Sequence, residues 1–306
     1  MPKVSVQIPC YNSERYLSKT IESVLGQTFG DFEIVIINDG SSDTTENIAK
    51  NYRDTRIKYI YQNNRGLAAA RNRALSESTG EYIAFLDHDD LWLPEKLEKQ
   101  IGALEANKDT AIAYSNFYRI FPDGKKTIRF RADQPEGDVF ERFLYSYPLG
   151  LLTAVVRRSA LDGLSARFDE NLKIFEDYDI FMRILQSHKA AYLHEPLAVY
   201  RIHDSRSTIR FADQYADEYK YVIDKLKGSD PSFVRRYHRA LGYVDAVIAH
   251  IRAKAAMAGR DPEKARNFMR AYRLSGCRFF LLYALTFFPP ICWDKVHQIK
   301  NDNIFL

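Results

Sequence analysis

Residues 31–43 read DFEIVIINDGSSD. The stretch is half-polar at Asp31 and Glu33, continuously apolar from Ile34 to Ile37, and then breaks into Asn38-Asp39-Gly40-Ser41-Ser42-Asp43. A short β-branched run of this kind, closed by a turn signal, reads as a strand rather than a helix. Because no face of it is polar, it predicts a central strand of a parallel sheet, where helices cover both sides. Working outward, Lys3 to Pro9, Ile57 to Gln62 and Tyr82 to Leu86 are further strand-like runs. Between them lie helical patterns, such as Leu17, Ile21, Val24 and Leu25 on one face. The order βαβαβαβ predicts an α/β fold with a mostly parallel, Rossmann-like sheet flanked by helices. Pro94 and Glu95 open one more helix with Leu97, Ile101 and Leu104 as its buried stripe, since proline is tolerated in a first turn.

After residue 110 the pattern changes. Ala111 to Tyr118 and Thr127 to Arg131, separated by the turn signal Pro122-Asp123-Gly124-Lys125, predict a hairpin. Tyr178, Phe181, Ile184 and Leu185 recur at helical spacing and start a helix near Glu176-Asp177. From residue 209 on, helical patterns rich in Lys and Arg dominate, which predicts two parts, 1–208 and a helical extension 209–306. Residues 1–208 carry 27 Lys and Arg against 30 Asp and Glu, whereas residues 209–306 carry 17 against 10. The basic excess therefore belongs to the tail, and the overall charge of +4 is too mild to argue for nucleic acid. The tail also holds FFLLYALTFFPPICW, Phe279 to Trp293, too short and too rich in proline for a membrane span. Lying on a membrane surface, or packing a helix onto the core, are its two readings.

With 306 residues, 46% of them hydrophobic, the chain can bury a sizeable core. The start MPKVSVQIPCYN shows no secretory leader, so a cytoplasmic location is expected. Cys10, Cys277 and Cys292 are an odd number without CxxC spacing, which suggests neither a disulfide framework nor a zinc site.

In an open parallel sheet, ligands bind beyond the carboxyl ends of the strands. The predicted strands end in Pro9-Cys10-Tyr11-Asn12, in Asn38 to Asp43, in Asn63-Asn64-Arg65-Gly66 leading to Arg71, and in Asp87-His88-Asp89-Asp90. Three carboxylates in four positions repel one another unless a cation or hydrogen bonds compensate, which points to a divalent metal. Neither GxGxxG nor GxxxxGK[ST] occurs, so a dinucleotide fold and a P-loop are unsupported. Each group also has a plainer reading. Asp39 to Asp43 and Asp87 to Asp90 could cap helices, Glu176-Asp177 could complement a helix dipole, and Arg71 and His203 could be ordinary surface or satisfied side chains.

Taken together, VSVQIPCYN, IINDGSSD, NNRGLAAARN, EYIAFLDHDD, FEDYDIFMRI and EPLAVYRIHDSRST, in this order, resemble the inverting family 2 glycosyltransferases of the GT-A fold. The resemblance covers about residues 3 to 208. It implies that Pro9, Tyr11 and Asp39 line a nucleoside pocket, that Arg71 approaches the base, and that Asp87 faces the ribose. Asp89 would be the metal-binding acid of a DxD motif, for Mn²⁺ or Mg²⁺, and Asp177 the catalytic base. His203 would add a ligand or donor to the diphosphate. Two departures, Asn38 in place of an acid and His88 in place of a small residue, bear on donor specificity. The implied activity is transfer of a sugar from a nucleotide-sugar donor, a UDP-sugar, to a glycan or lipid-linked acceptor, for a surface polysaccharide; the basic, apolar tail adds the expectation of docking at the inner face of the cell membrane. The competing readings are a metal-dependent nucleotidyltransferase and a non-catalytic module that binds sugar nucleotides or membrane surfaces.

Overall fold

The first four strands fall where the apolar periodicity places them. In the computed structural model, which describes residues 1–204, 211, 213–228 and 230–288, strand β1 spans Val4–Cys10, β2 Phe32–Asp39, β3 Ile57–Gln62 and β4 Tyr82–Phe85. Helices α1 (Leu17–Leu25), α2 (Thr45–Asn51) and α3 (Leu67–Glu77) connect them. The four strands lie in the order β3-β2-β1-β4 and pair parallel throughout, with Val4 opposite both Phe32 and Tyr82. β2 is buried along nearly its whole length, as its apolar run requires.

Beyond β4 the sheet becomes mixed. β5 (Leu91–Trp92) and α4 (Lys96–Ala106) precede the long β6 (Thr110–Ile120), whose hairpin partner is β7 (Lys126–Ile128). α5 (Phe140–Tyr145), β8 (Val155–Arg157), α6 (Arg158–Asp162), α7 (Glu176–Leu185) and β9 (Lys189–Arg201) follow. β8 is antiparallel to β4 and β6, β9 is parallel to β6, and β5 closes the edge antiparallel to β9. The β6–β9 register shifts between Thr110 and Ile112 and on either side of Asn116. The two-residue β5 escaped the sequence because so short a run carries no periodicity; the indole N–H of Trp92 fixes it by donating to the Leu152 carbonyl at 2.9 Å.

Helices α8 (Tyr215–Lys227), α9 (Phe233–Arg236), α10 (His238–Ala258), α11 (Pro262–Arg270) and α12 (Cys277–Leu285) complete the described chain. It divides into two compact units, one of residues 1–140 and 148–206, the other of residues 141–147 and 207–306. The short segment 141–147 thus joins the carboxyl-terminal helices, the Tyr145 ring lying tilted with its centre 5.3 Å from that of Tyr243. Among the described residues no helix is long and apolar enough to cross a membrane. Cys10 is buried and Cys277 exposed, both as free thiols; Cys292, residues 205–208 of the last motif and residues 289–293 of the apolar run lie outside the described residues.

Candidate active site

Four loops leave the common carboxyl edge of β1, β2, β3 and β4, and they are tied together by their own polar groups. Asn12 takes a left-handed conformation (φ 49°), its N–H donating to Ser41 Oγ at 2.9 Å and its Oδ1 accepting the Ser42 N–H at 2.9 Å. Asp43 accepts the Thr45 N–H at the start of α2 and the Glu14 N–H, both at 3.0 Å. Asp43 therefore ties the start of α2 to the loop after β1. Asp39 does something else. Its buried carboxylate accepts Gln62 Nε2 at 2.7 Å, the Arg65 N–H at 2.9 Å and the Gly66 N–H at 2.8 Å, fastening the turn between β3 and α3. Asn38 suits its place because an amide donates on one side, to the Tyr59 hydroxyl at 2.8 Å, and accepts on the other, from the Ser41 N–H at 2.9 Å. Pro9 is buried in β1, while Tyr11 is left 45% exposed at the mouth of the loops.

Arg71 projects from α3 and is buried. Its guanidinium donates to Asp87 Oδ1 at 2.7 Å and, through its other terminal nitrogen, to Glu176 Oε1 at the start of α7. One cation thus gathers acids from two distant parts of the chain. Burial pushes the Glu176 carboxyl above its ordinary range, against the opposing pull of Arg71. Its neighbour Asp177 is half-buried and accepts the Tyr178 N–H at 2.7 Å. Burial, and next the charge of Glu176, push Asp177 up to about 7.

The acidic loop does not cap a helix: the Asp90 N–H donates to the Asp87 carbonyl at 3.1 Å, and β5 intervenes before α4 begins. Oxygens of Asp87, Asp89 and Asp90 lie within 4.8 Å of one another. Each acid has its own compensation. Asp87 has Arg71, and Asp89 Oδ2 meets His203 Nε2 at 2.7 Å. Burial works to raise Asp89, but the His203 hydrogen bond and the charges of His88 and His203 outweigh it and hold the carboxyl low. Asp90 is buried, accepts the Arg201 N–H at 2.9 Å, and is pushed well above its ordinary range by burial and by the charges of Asp89 and Asp87.

Residue patterns alone missed the framework behind this loop. The Arg201 guanidinium donates to the Asp89 carbonyl and to Thr20 Oγ1, the latter at 2.9 Å, and lies 4.8 Å over the ring of Tyr16. The Thr20 hydroxyl reaches the carbonyls of His88 at 2.7 Å and Asp90 at 2.8 Å, and the Tyr16 ring centres 5.1 Å from that of His203. Nothing in the spacing of Tyr16, Thr20 and Arg201 announces this. The only signal was that Arg201 stands two residues before His203.

Residues 5–160 match the description glycosyl transferase family 2. The chain belongs to that family. A relative from Rickettsia typhi, an uncharacterized glycosyltransferase, is 34% identical over 219 residues, which span 68% of this chain and 66% of that one. The UDP-Glc:alpha-D-GlcNAc-diphosphoundecaprenol beta-1,3-glucosyltransferase WfgD of Escherichia coli is 36% identical over 60% of this chain and 70% of its own. Among solved structures, that of S. aureus TarS in complex with UDP-GlcNAc superposes with a TM-score of 0.69 at 20% identity, over 92% of this chain and 83% of the other. The fold is that of a GT-A glycosyltransferase, as the family 2 motifs implied, and the acidic cluster at the end of β4 is its DxD-like element.

Proposed function

We propose that this family 2 glycosyltransferase transfers a hexose, with inversion, from a UDP-sugar to a hydroxyl of a glycan or lipid-linked glycan, Asp177 acting as general base. The observation that carries this is the Asp177 carboxyl, pushed up to about 7 and set beside the buried Arg71–Glu176 pair that also holds Asp87. A base with such a value can take a proton from an acceptor hydroxyl near neutral pH, an effect typically worth ~10² to 10⁴-fold in rate. Displacement from the opposite face inverts the anomeric carbon and needs no carboxylate nucleophile. Tyr11, exposed at the loop mouth, and Pro9 beneath it flank the nucleoside in this reading, while Asp39 holds the β3–α3 turn against it.

The acidic loop fits a hard divalent cation, since three carboxylates bring oxygens within 4.8 Å. Asp90 is the poorest candidate of the three because it is buried and already accepts the Arg201 N–H, so Asp89, with Asp87 beside it, would hold Mn²⁺ or Mg²⁺. Such a cation neutralises charge on the departing diphosphate when bound. His203 orients Asp89 and can donate to the diphosphate. The reading assigns catalysis to the part up to residue 208 and acceptor-side duties at the inner face of the membrane to the helical extension. WfgD, by its name, uses UDP-Glc and a diphosphoundecaprenol-linked acceptor, and TarS was solved with UDP-GlcNAc, which supports a donor and acceptor of these classes.

Incubating the full chain with UDP-, GDP- and dTDP-sugars and Mn²⁺ or Mg²⁺, with nucleoside diphosphate release as the readout, tests it. UDP release that Asp89→Ala abolishes is expected. Pyrophosphate release from a nucleoside triphosphate, with no turnover of any sugar nucleotide, would move the assignment to nucleotidyl transfer.

A further inference from the structure

Helix α12 is apolar on two sides, and packing accounts for one. Phe279, Leu282 and Thr286 face inward, and Phe279 and Leu282 join a cluster with Ala246, Ala253, Met257 and Met269. The opposite side consists of Phe280 and Leu281, continued past the helix end by Phe287 and Phe288. With Leu274, these side chains are 52% to 82% exposed. A helix that only packs on a core needs one apolar stripe and a polar outer face. The adjoining sequence is mostly cationic: from Lys264 to Phe288 the chain carries five basic residues, Lys264, Arg266, Arg270, Arg273 and Arg278, and no acid, Asp261 and Glu263 standing just before it. Lys264, Arg270 and Arg273 are exposed and Arg278 half-buried. Arg266 is committed locally, its guanidinium donating to the Thr286 carbonyl at 2.9 Å and lying 4.9 Å over the Phe287 ring.

We infer that Phe280, Leu281, Phe287 and Phe288, with Arg270, Arg273 and Arg278, form a face that docks on an anionic lipid surface. Exposed aromatic and aliphatic side chains enter the boundary between headgroups and acyl chains, while arginines remain at headgroup level beside anionic phosphates. The charge pattern selects this occupant. A protein partner would be expected to meet some acidic groups on such a face, whereas an anionic bilayer repels acids and attracts every cation. The inference deepens the membrane part of the proposed function by naming the face that docks, and its test reads vesicle binding, so it can fail without the transfer reaction failing.

The test is sedimentation of the full chain with vesicles of phosphatidylcholine alone and of phosphatidylcholine with phosphatidylglycerol, at low and at high salt. Binding to the anionic vesicles at low salt, weakened by salt and nearly absent on phosphatidylcholine, is expected. Each basic residue near an anionic surface strengthens partition about fivefold. Replacing Arg270, Arg273 and Arg278 together by Gln should therefore weaken binding by on the order of a hundredfold. The pair Phe280→Ser and Leu281→Ser should abolish it with an unchanged thermal midpoint, both residues being exposed. Failure of the full chain to sediment with anionic vesicles at low salt, or binding untouched by both sets of substitutions, overturns the inference. So does a dimer in solution that the serine pair converts to monomer, since a second copy would then cover the face.

Discussion

Asp177 stands next to a second acid, and that proximity sets its chemistry. With its carboxyl pushed up to about 7, the base form is scarce in acid and predominates above neutrality. The rate of transfer at saturating donor should accordingly rise with pH through about 7 and level off above it. Asp177→Asn should lower turnover by ~10² to 10⁴-fold and remove that limb, while donor affinity in a calorimetric titration stays within a few-fold. An unchanged pH profile in the variant would exclude Asp177 as the base. Arg71 makes a different prediction, about stability. Removing it strands Glu176 in a buried site without its cation, which typically costs about 3 to 5 kcal/mol. Because Glu176 is already raised and can take up a proton, the lower end applies to Arg71→Met. Adding Glu176→Gln should recover part of the loss in urea denaturation.

At the scale of elements, the site depends on turns that only particular residues can make. Gly40, at the end of β2, has φ +76°, and a Cβ there would meet the backbone nitrogen of Asn64 at 2.7 Å. The Asn64 side chain in turn donates to the Asp39 carbonyl at 2.9 Å, so the β2–α2 and β3–α3 loops touch at this point. Gly40→Ala should therefore cost about 2 kcal/mol, from left-handed strain together with displacement of a backbone that cannot swing aside. It should also weaken UDP-sugar binding, because the turn that Asp39 fastens shifts with it. Equal urea midpoints for Gly40→Ala and the parent protein would contradict this account.

Across the whole molecule, three acids keep their protons to higher pH in the folded chain than in the unfolded chain. An unfolded aspartate titrates near ~3.9, whereas Asp177 in the fold titrates at about 7 and Asp90 and Glu176 are also raised. Between about pH 4 and pH 7 the folded state therefore binds more protons than the unfolded state, and stability falls as pH rises. Asp89 is lowered and acts with the opposite sign, its contribution being lost only as pH falls through its folded value. In metal-free buffer the thermal midpoint should decline from pH 5 to pH 7.5, and Asp177→Asn should flatten part of that slope. A midpoint that climbs over this interval in the parent protein would show that the raised acids do not govern it.

The sequence by itself determined the parallel half of the sheet, the buried stripes of α1, α4 and α7, and the set of polar strand ends, because these follow from local periodicity and from which residues interrupt it. It also marked Asp39, Arg71, Asp87, Asp89, Asp177 and His203 as residues worth placing together. Only the tertiary structure decided what each one touches. That Asp39 fastens the β3–α3 turn, that Arg71 joins Asp87 and Glu176, 16 and 105 positions away from it, and that Arg201 with Thr20 and Tyr16 holds the acidic loop are long-range pairings. Such pairings leave no periodic trace. The same holds for residues 141–147, which join the second unit although nothing in their local pattern separates them from the first. Periodicity records which side of an element is buried; the identity of the partner on that side arises only when distant elements are packed together.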